Sequence, residues 1–290
     1  MTSFVRWVAA AALCLAPLAA QAGDENLCAG PPGGLPIIPP LAHFAARIAQ
    51  GGPLNIVAVG SSSTLGIGAS SPDMAYPSRL EAELRSRFPH LDIHVVNRGK
   101  GGEDAPEELA RLPADVVALH PDLAIWQVGT NAVLRRDDLG ADGEWMREGV
   151  DLMKRNGIDV VLMDLQLAPR VMERRAYPNM EALIADTADR EQVGLFRRFA
   201  LMQYWQGSHA TDAAPMIGPD GLHMTDAGYG CLAVDLAKAL EANWRAEQKI
   251  AQRAHATTDA VAGLPASSAV NLHAAPSVNP LRRNDATPFN

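Results

Sequence analysis

Four short stretches hold the residues whose types and spacing could do chemistry. Gly60-Ser61-Ser62-Ser63-Thr64-Leu65-Gly66 carries three hydroxyls in a row. Asn97-Arg98-Gly99-Lys100-Gly101-Gly102-Glu103 is a glycine-rich turn, and Gly129-Thr130-Asn131 ends on a side-chain amide. Asp220-Gly221-Leu222-His223 sets a carboxylate three residues before an imidazole. A serine becomes a nucleophile only beside a base, and the base needs an acceptor that orients it. One turn can place Asp220 and His223 on one side. An aspartate taking the Nδ1–H would leave Nε2 free to take a proton from a serine hydroxyl. A glycine N–H and an asparagine amide are the donor types that a developing oxyanion needs. The chemistry implied is acyl transfer through a hydroxyl.

Such groups work only if a scaffold brings them together. Short β-branched runs alternate here with longer helical patterns. The strands read from the sequence are Asn55–Val59, Ile93–Val96, Leu123–Val128, Val160–Leu165 and, more weakly, Val193–Phe196. Helices are expected over Tyr76–Arg87, Ala105–Arg111, Glu144–Asn156 and Met180–Arg190, and a last one from Asp226 to Arg245. This alternation predicts a parallel sheet with helices on both faces. The strands are near-continuous apolar runs, as a sheet buried on both faces requires. Ligands of such sheets bind beyond the carboxyl ends of the strands, where three of the four stretches fall.

With these residues in view, the chain resembles the SGNH, or GDSL-type, hydrolases from about Asn55 to Arg245. All four blocks of that family are matched in order. The resemblance puts the nucleophile on Ser62, with Ser63 a distant second. It puts the acid and base on Asp220 and His223. The oxyanion donors fall on Gly102, five residues after Asn97, on Asn131, and on the backbone N–H of Ser62. The family implies a three-layer α/β/α sandwich around a five-stranded parallel sheet, flavodoxin-like in outline. It also implies hydrolysis of esters or thioesters without a cofactor. The sequence departs from the family at one position: the usual Gly-Asp-Ser reads Gly60-Ser61-Ser62. A serine there can still hydrogen-bond locally, but more weakly than a carboxylate.

Each residue has a plainer reading. Ser62 could cap a turn, Gly102 could serve a positive φ, and Asn131 could be a helix cap. Asp220 beside Gly221 could be a turn former. Alone, each plain reading would win; four blocks in order reverse that. His43, His90, His94, His120, His209, His255 and His273 form no metal-ligand pattern, so no metal is expected. Gly66-Ile67-Gly68 does not complete a dinucleotide fingerprint, no phosphate-binding loop is present, and the elbow of the α/β-hydrolases is absent. Trp126 and Trp145 read as core. Tyr204 and Trp205 read as packing, or as an apolar wall for an acyl or sugar group. Gln166, just past the fourth strand, is placed to line a pocket.

Composition sets the outer bounds. The 290 residues are 48% hydrophobic and 20% charged with a net charge of −8, which is globular and excludes a disordered or collagen-like chain. The acidic balance argues against nucleic-acid binding. Arg6, the apolar run Trp7 to Ala20 and the small-x-small Ala20-Gln21-Ala22 predict a signal peptide over 1–22, cleaved after Ala22, and hence a periplasmic or secreted protein. The apolar run is shorter than the roughly 20 residues of a comfortable span, so stable membrane insertion is not expected. Residues 23–40 read as a Pro/Gly-rich lead-in, 41–250 as the hydrolase domain and 251–290 as a disordered tail. Cys28 and Cys231 can pair in an exported protein, or remain two unpaired thiols; the sequence leaves both open. The expected partner is a small-molecule or carbohydrate ester. The reading favoured is an exported serine ester hydrolase of carboxylesterase or acetylesterase type; an acyltransferase on the same site and a non-catalytic carbohydrate- or envelope-binding module are the alternatives. Neither acyl length nor oligomeric state is legible.

Overall fold

A computed structural model of the chain describes residues 28–136, 138–208 and 214–262. The expected signal peptide, residues 23–27 of the lead-in and residues 263–290 of the expected tail lie outside the described residues. The described residues up to Gln248 form one compact unit. Five strands make its sheet: β1 (Leu54–Gly60), β2 (Ile93–Gly99), β3 (Leu123–Gln127), β4 (Asp159–Met163) and β5 (Gly194–Phe196). All pairings are parallel, in the order β2-β1-β3-β4-β5. The chain therefore leaves β1 for one edge and returns to β1's other side at β3. That reversal opens the crevice where open α/β sheets bind ligands, between the carboxyl ends of β1 and β3.

Strand residues alternate between two faces, and both are covered. Leu54, Ile56 and Ala58 of β1, with Leu123 and Ile125 of β3, join one apolar cluster. It is closed by α1 (Ala42–Gln50), α3 (Tyr76–Arg87), α9 (Arg198–Gly207) and α10 (Asp226–Ala262), through Phe44, Leu80, Trp205 and Leu236. Val57, Val59, Ala124 and Trp126 face a second cluster. That face is covered by α4 (Ala105–Asp115), α6 (Asp142–Arg155) and α8 (Tyr177–Glu191), through Leu112, Met146 and Ile184. Three short helices follow strand ends or loops: α2 (Ser62–Leu65), α5 (Thr130–Arg135) and α7 (Pro169–Met172). The α/β/α sandwich expected from the sequence is present, and α3 has the expected bounds.

Some boundaries differ, each for a physical reason. β2 runs on through Asn97, Arg98 and Gly99, polar residues that apolar patterning cannot assign to a strand. β4 stops at Met163 rather than Leu165, because Asp164 turns its carboxylate to accept the Phe199 N–H at 2.9 Å. α10 continues past Arg245 to Ala262, into the segment read as a disordered tail. Residues 246–262 lack an apolar stripe but are rich in Ala, Glu, Gln, Lys and Arg, which carry helical propensity without periodicity. The described helices α1, α2, α5, α7 and α9 were not assigned from sequence; four of them are too short, or too evenly apolar, for a 3.6-residue period to register.

Of the two readings for the cysteines, the structure has the pair: Cys28 and Cys231 are joined, with an S–S distance of 2.07 Å across a sequence separation of 203. Farther along, Asn243 of α10 donates to the carbonyls of Ile37 and Pro39 and accepts the Leu41 N–H. The lead-in from 28 to 41 is thus fastened to α10 at both ends. Closing so long a loop restrains the unfolded chain, so Cys28→Ser should cost about 2–4 kcal/mol. A lowered urea midpoint that reductant no longer affects would bear this out; an unchanged midpoint would show that Asn243 alone suffices.

Candidate active site

The carboxyl end of β1 must turn sharply to start α2, and Gly60 permits it. Its φ is +152°, and a Cβ there would fall 2.6 Å from Thr64 Oγ1 and 2.7 Å from the Gln127 carbonyl. Ser61 follows, buried, at the N-cap of α2. Its N–H and its hydroxyl both donate to Gln127 Oε1 on β3, each at 3.2 Å, and Thr64 Oγ1 donates to the same oxygen at 3.3 Å. Where the family usually has a carboxylate, a neutral amide oxygen from the neighbouring strand holds this turn. Ser62, the first residue of α2, is left pointing outward. Its N–H is among the first four of a helix and has no intrahelical acceptor.

The Ser62 hydroxyl lies 2.8 Å from His223 Nε2, and His223 Nδ1 lies 2.5 Å from Asp220 Oδ2. Asp220 also takes the N–H groups of Leu222 and His223 on Oδ1, each at 3.0 Å. The carboxylate therefore fixes its own turn and the ring on it. With Nδ1–H donated to Asp220, Nε2 is the acceptor for the Ser62 proton. Partial burial would raise the Asp220 carboxyl, but these hydrogen bonds outweigh it and hold the group down at about 2. The chain beneath the imidazole is equally fixed: Tyr229 donates to the Ile67 carbonyl at 2.7 Å, and a Cβ on Gly68 would fall 2.5 Å from the Met224 carbonyl and 3.1 Å from the His223 Cβ.

The glycine turn after β2 arches over Ser62. A Cβ on Gly101 would stand 3.9 Å from the Ser62 Cβ. Gly102 has φ +86°, a left-handed conformation that suits glycine. Asn131, in the first turn of α5, donates one amide hydrogen to the Glu103 carbonyl at 2.7 Å, which leaves its second hydrogen for another acceptor. Asn97 ties the turn to α2 by donating to the Thr64 carbonyl at 2.8 Å. All five residues singled out from the sequence thus meet at the crevice. Leu65 and Ile67 beside them are exposed.

Other residues carry this arrangement and were not singled out. Arg111 donates to the carbonyls of Gly60 and Arg98 and to Glu103, so one guanidinium joins the ends of β1 and β2. Behind it, buried Glu108 accepts the Trp126 indole N–H at 2.7 Å. Desolvation pushes the Glu108 carboxyl up to about 8, against the pull of Trp126 and Arg111. A carboxyl raised in the folded state contributes stability below its unfolded value of 4.5, lost as pH rises through 8. Unfolding free energy should therefore fall between pH 5 and 9, and Glu108→Gln should flatten that slope. An equally steep slope in the variant would place the titration elsewhere.

Gln166 corrects an expectation. It is fully buried and lines no part of the crevice. Its Oε1 accepts from Thr130 and from the buried Arg198, and its Nε2 reaches the Leu222 carbonyl at 3.4 Å. Arg198 also donates to the Asp164 carbonyl at 3.0 and 2.6 Å. Nothing in the sequence separates Arg198 from exposed Arg197, because its partners come from the loop just after β4, 34 and 32 residues earlier. Trp205 is buried, as packing requires, and also walls a cavity of about 440 Å³ with Met172, Met202 and Met216. Among the described residues, no group of three or more His, Cys, Asp or Glu is placed to hold a metal, and no helix is long and apolar enough to cross a membrane.

The same fold occurs in solved structures. A two-domain esterase (CEX) active on acetylated mannans is 21% identical over 71% of this chain and 53% of its own, with a TM-score of 0.57. This chain thus spans about half the length of that protein. The acetylxylan esterase Axe2 from Geobacillus stearothermophilus is 21% identical, with 64% of this chain and 94% of its own covered and a TM-score of 0.54. TesA is 21% identical over 65% of this chain and 99% of its own, with a TM-score of 0.55. No curated protein sequence matches the chain. The sequence profile described as the non-GDSL lipase-like family matches residues 27–245, which takes in all four blocks and the Gly60-Ser61-Ser62 departure. The chain belongs to the non-GDSL lipase-like family, and with it to the SGNH hydrolases that its blocks resemble.

Proposed function

We propose that this protein is an exported serine esterase that removes short acyl groups, acetyl above all, from carbohydrate or small-molecule esters. The observation that carries the reading is the relay Ser62 Oγ, His223 Nε2 and Nδ1, Asp220 Oδ2, at 2.8 and 2.5 Å. Ser62 attacks the acyl carbonyl while His223 takes its proton. The carbonyl oxygen becomes an oxyanion facing the N–H groups of Ser62 and Gly102 and the free amide hydrogen of Asn131. The C–O bond to the alcohol breaks, and His223 returns its proton to that oxygen. Water, deprotonated by His223, then attacks the acyl-serine and releases the acid. Asp220 holds the ring and stabilises its cationic form throughout.

Several features support acetyl esters on bulky alcohols. Gly101, Gly102 and Asp220 are exposed, so the nucleophile lies on an open rim that a polymer can approach. Two of the structural neighbours act on acetylated mannans and acetylxylan. Export rests on the signal peptide read from Arg6 to Ala22. The test is hydrolysis of p-nitrophenyl acetate, longer-chain analogues and acetylated xylo-oligosaccharides by the mature protein beside Ser62→Ala. Ser62-dependent hydrolysis that declines with acyl length is expected. No hydrolysis of any ester would sink the reading, and release of equal product by both proteins would move the nucleophile elsewhere.

A further inference from the structure

We propose that Arg135 is a positioning residue for the oxyanion turn: it holds the Gly102 carbonyl, and through it the residue whose N–H is the donor, and touches no substrate. The inference rests on the esterase reading for its catalytic consequence, but not for its structural content. α5 starts at the carboxyl end of β3, and Asn131 and Arg135 lie four residues apart on one of its faces. Asn131 donates to the Glu103 carbonyl, and Arg135 Nη2 donates to the carbonyl just before it, that of Gly102. Consecutive carbonyls of an extended chain point in opposite directions. Here the left-handed Gly102 turns both toward the same helix. The segment Gly99-Lys100-Gly101-Gly102 has three glycines, so its own side chains offer little to anchor it. The hold must come through carbonyls, and α5 supplies it twice.

The guanidinium is braced from its other side. Its Nη1 lies 3.5 Å from Glu107 and 3.6 Å from Asp104, while Asp104 is itself paired to Arg136 at 2.6 Å. Arg135 is 47% exposed, so these contacts contribute little to folding. Their effect falls instead on the freedom of a turn whose N–H must already be aimed when charge develops on the substrate. One helix thus brings a donor to the oxyanion, Asn131, and one turn later the residue that holds the next donor still.

The test joins kinetics to amide exchange. Losing a whole oxyanion donor lowers kcat by about 10²–10³. Loosening one should cost less, so Arg135→Ala is expected to lower kcat by about tenfold with KM within about twofold. Binding of an aryl boronic acid, which forms a tetrahedral adduct on the serine, should weaken by the same factor. Arg135→Lys should restore most of both. Hydrogen exchange of the peptide 99–104 should quicken in Arg135→Ala, while the thermal midpoint moves by no more than about 3 °C. Unchanged exchange would overturn the proposal, as would a rise in KM alone, which marks a substrate contact. If wild type hydrolyses no ester, the esterase reading falls, and the exchange result still decides the role of Arg135.

Discussion

Ser62→Ala is expected to lower kcat by about 10⁴–10⁶ while leaving KM nearly unchanged. The size follows from what remains in reach of His223. Ser61 is buried with its hydroxyl committed to Gln127. Ser63 is buried and faces inward toward Tyr229. Neither can replace the lost oxygen, so no acyl-enzyme forms and any burst of the first product disappears. A residual rate above that of water should survive from the oxyanion donors. Ser63→Ala should retain acyl transfer, which separates the two serines directly. A Ser62→Ala protein with more than a few per cent of wild-type kcat would refute the assignment.

The second large effect belongs to Asp220→Asn, at about 10²–10⁴ in kcat. An amide in place of the carboxylate would favour the wrong tautomer of His223 and would no longer stabilise the imidazolium. Two features place the expected value below that of a fully buried aspartate. The Asp220 side chain is 44% exposed, so water can partly replace it. The asparagine oxygen can also still accept the Leu222 and His223 N–H groups, which preserves the turn. The ionisation of Asp220 should not shape the acid limb of activity, since its carboxyl is held at about 2 and stays charged throughout the working range. Stability is the place to see it: the contribution of this group should be lost only as pH falls from 3.8 through 2. A loss of less than fivefold in kcat would mean that the imidazole is oriented by something else.

Much of this site was legible because its chemistry sits on short-range patterns. Asp220 and His223 are three residues apart, Ser62 and Asn131 follow the apolar runs of β1 and β3, and Gly102 stands in a turn marked by its glycines. The sheet was legible for the same reason: Ile56, Val57, Ala58 and Val59 are buried on both faces and cannot be anything but a central strand. The supports were harder. Gln127 stands as a polar residue at the end of a buried run, a signal that only the Ser61 departure makes meaningful. Glu108 and Arg198 look like ordinary surface charges, since burial was settled by partners far away in sequence. Arg135 could not be read at all, because its partner is a backbone carbonyl and carbonyls leave no mark on a sequence. The long α10 was missed past Arg245 for the converse reason: propensity without periodicity.

The bond between Cys28 and Cys231 has a mechanical side. Tension applied beyond these two residues, toward either terminus, does not pass through the intervening chain. It crosses from one cysteine to the other through a single covalent link. The parallel strands, the glycine turn and the Ser62 relay all lie inside that loop and bear no load. Pulled at its ends, the oxidised protein can lengthen only outside the bridge, the part of α10 beyond Cys231 included, and the strands and the Ser62–His223–Asp220 segment cannot themselves be drawn out by that pull.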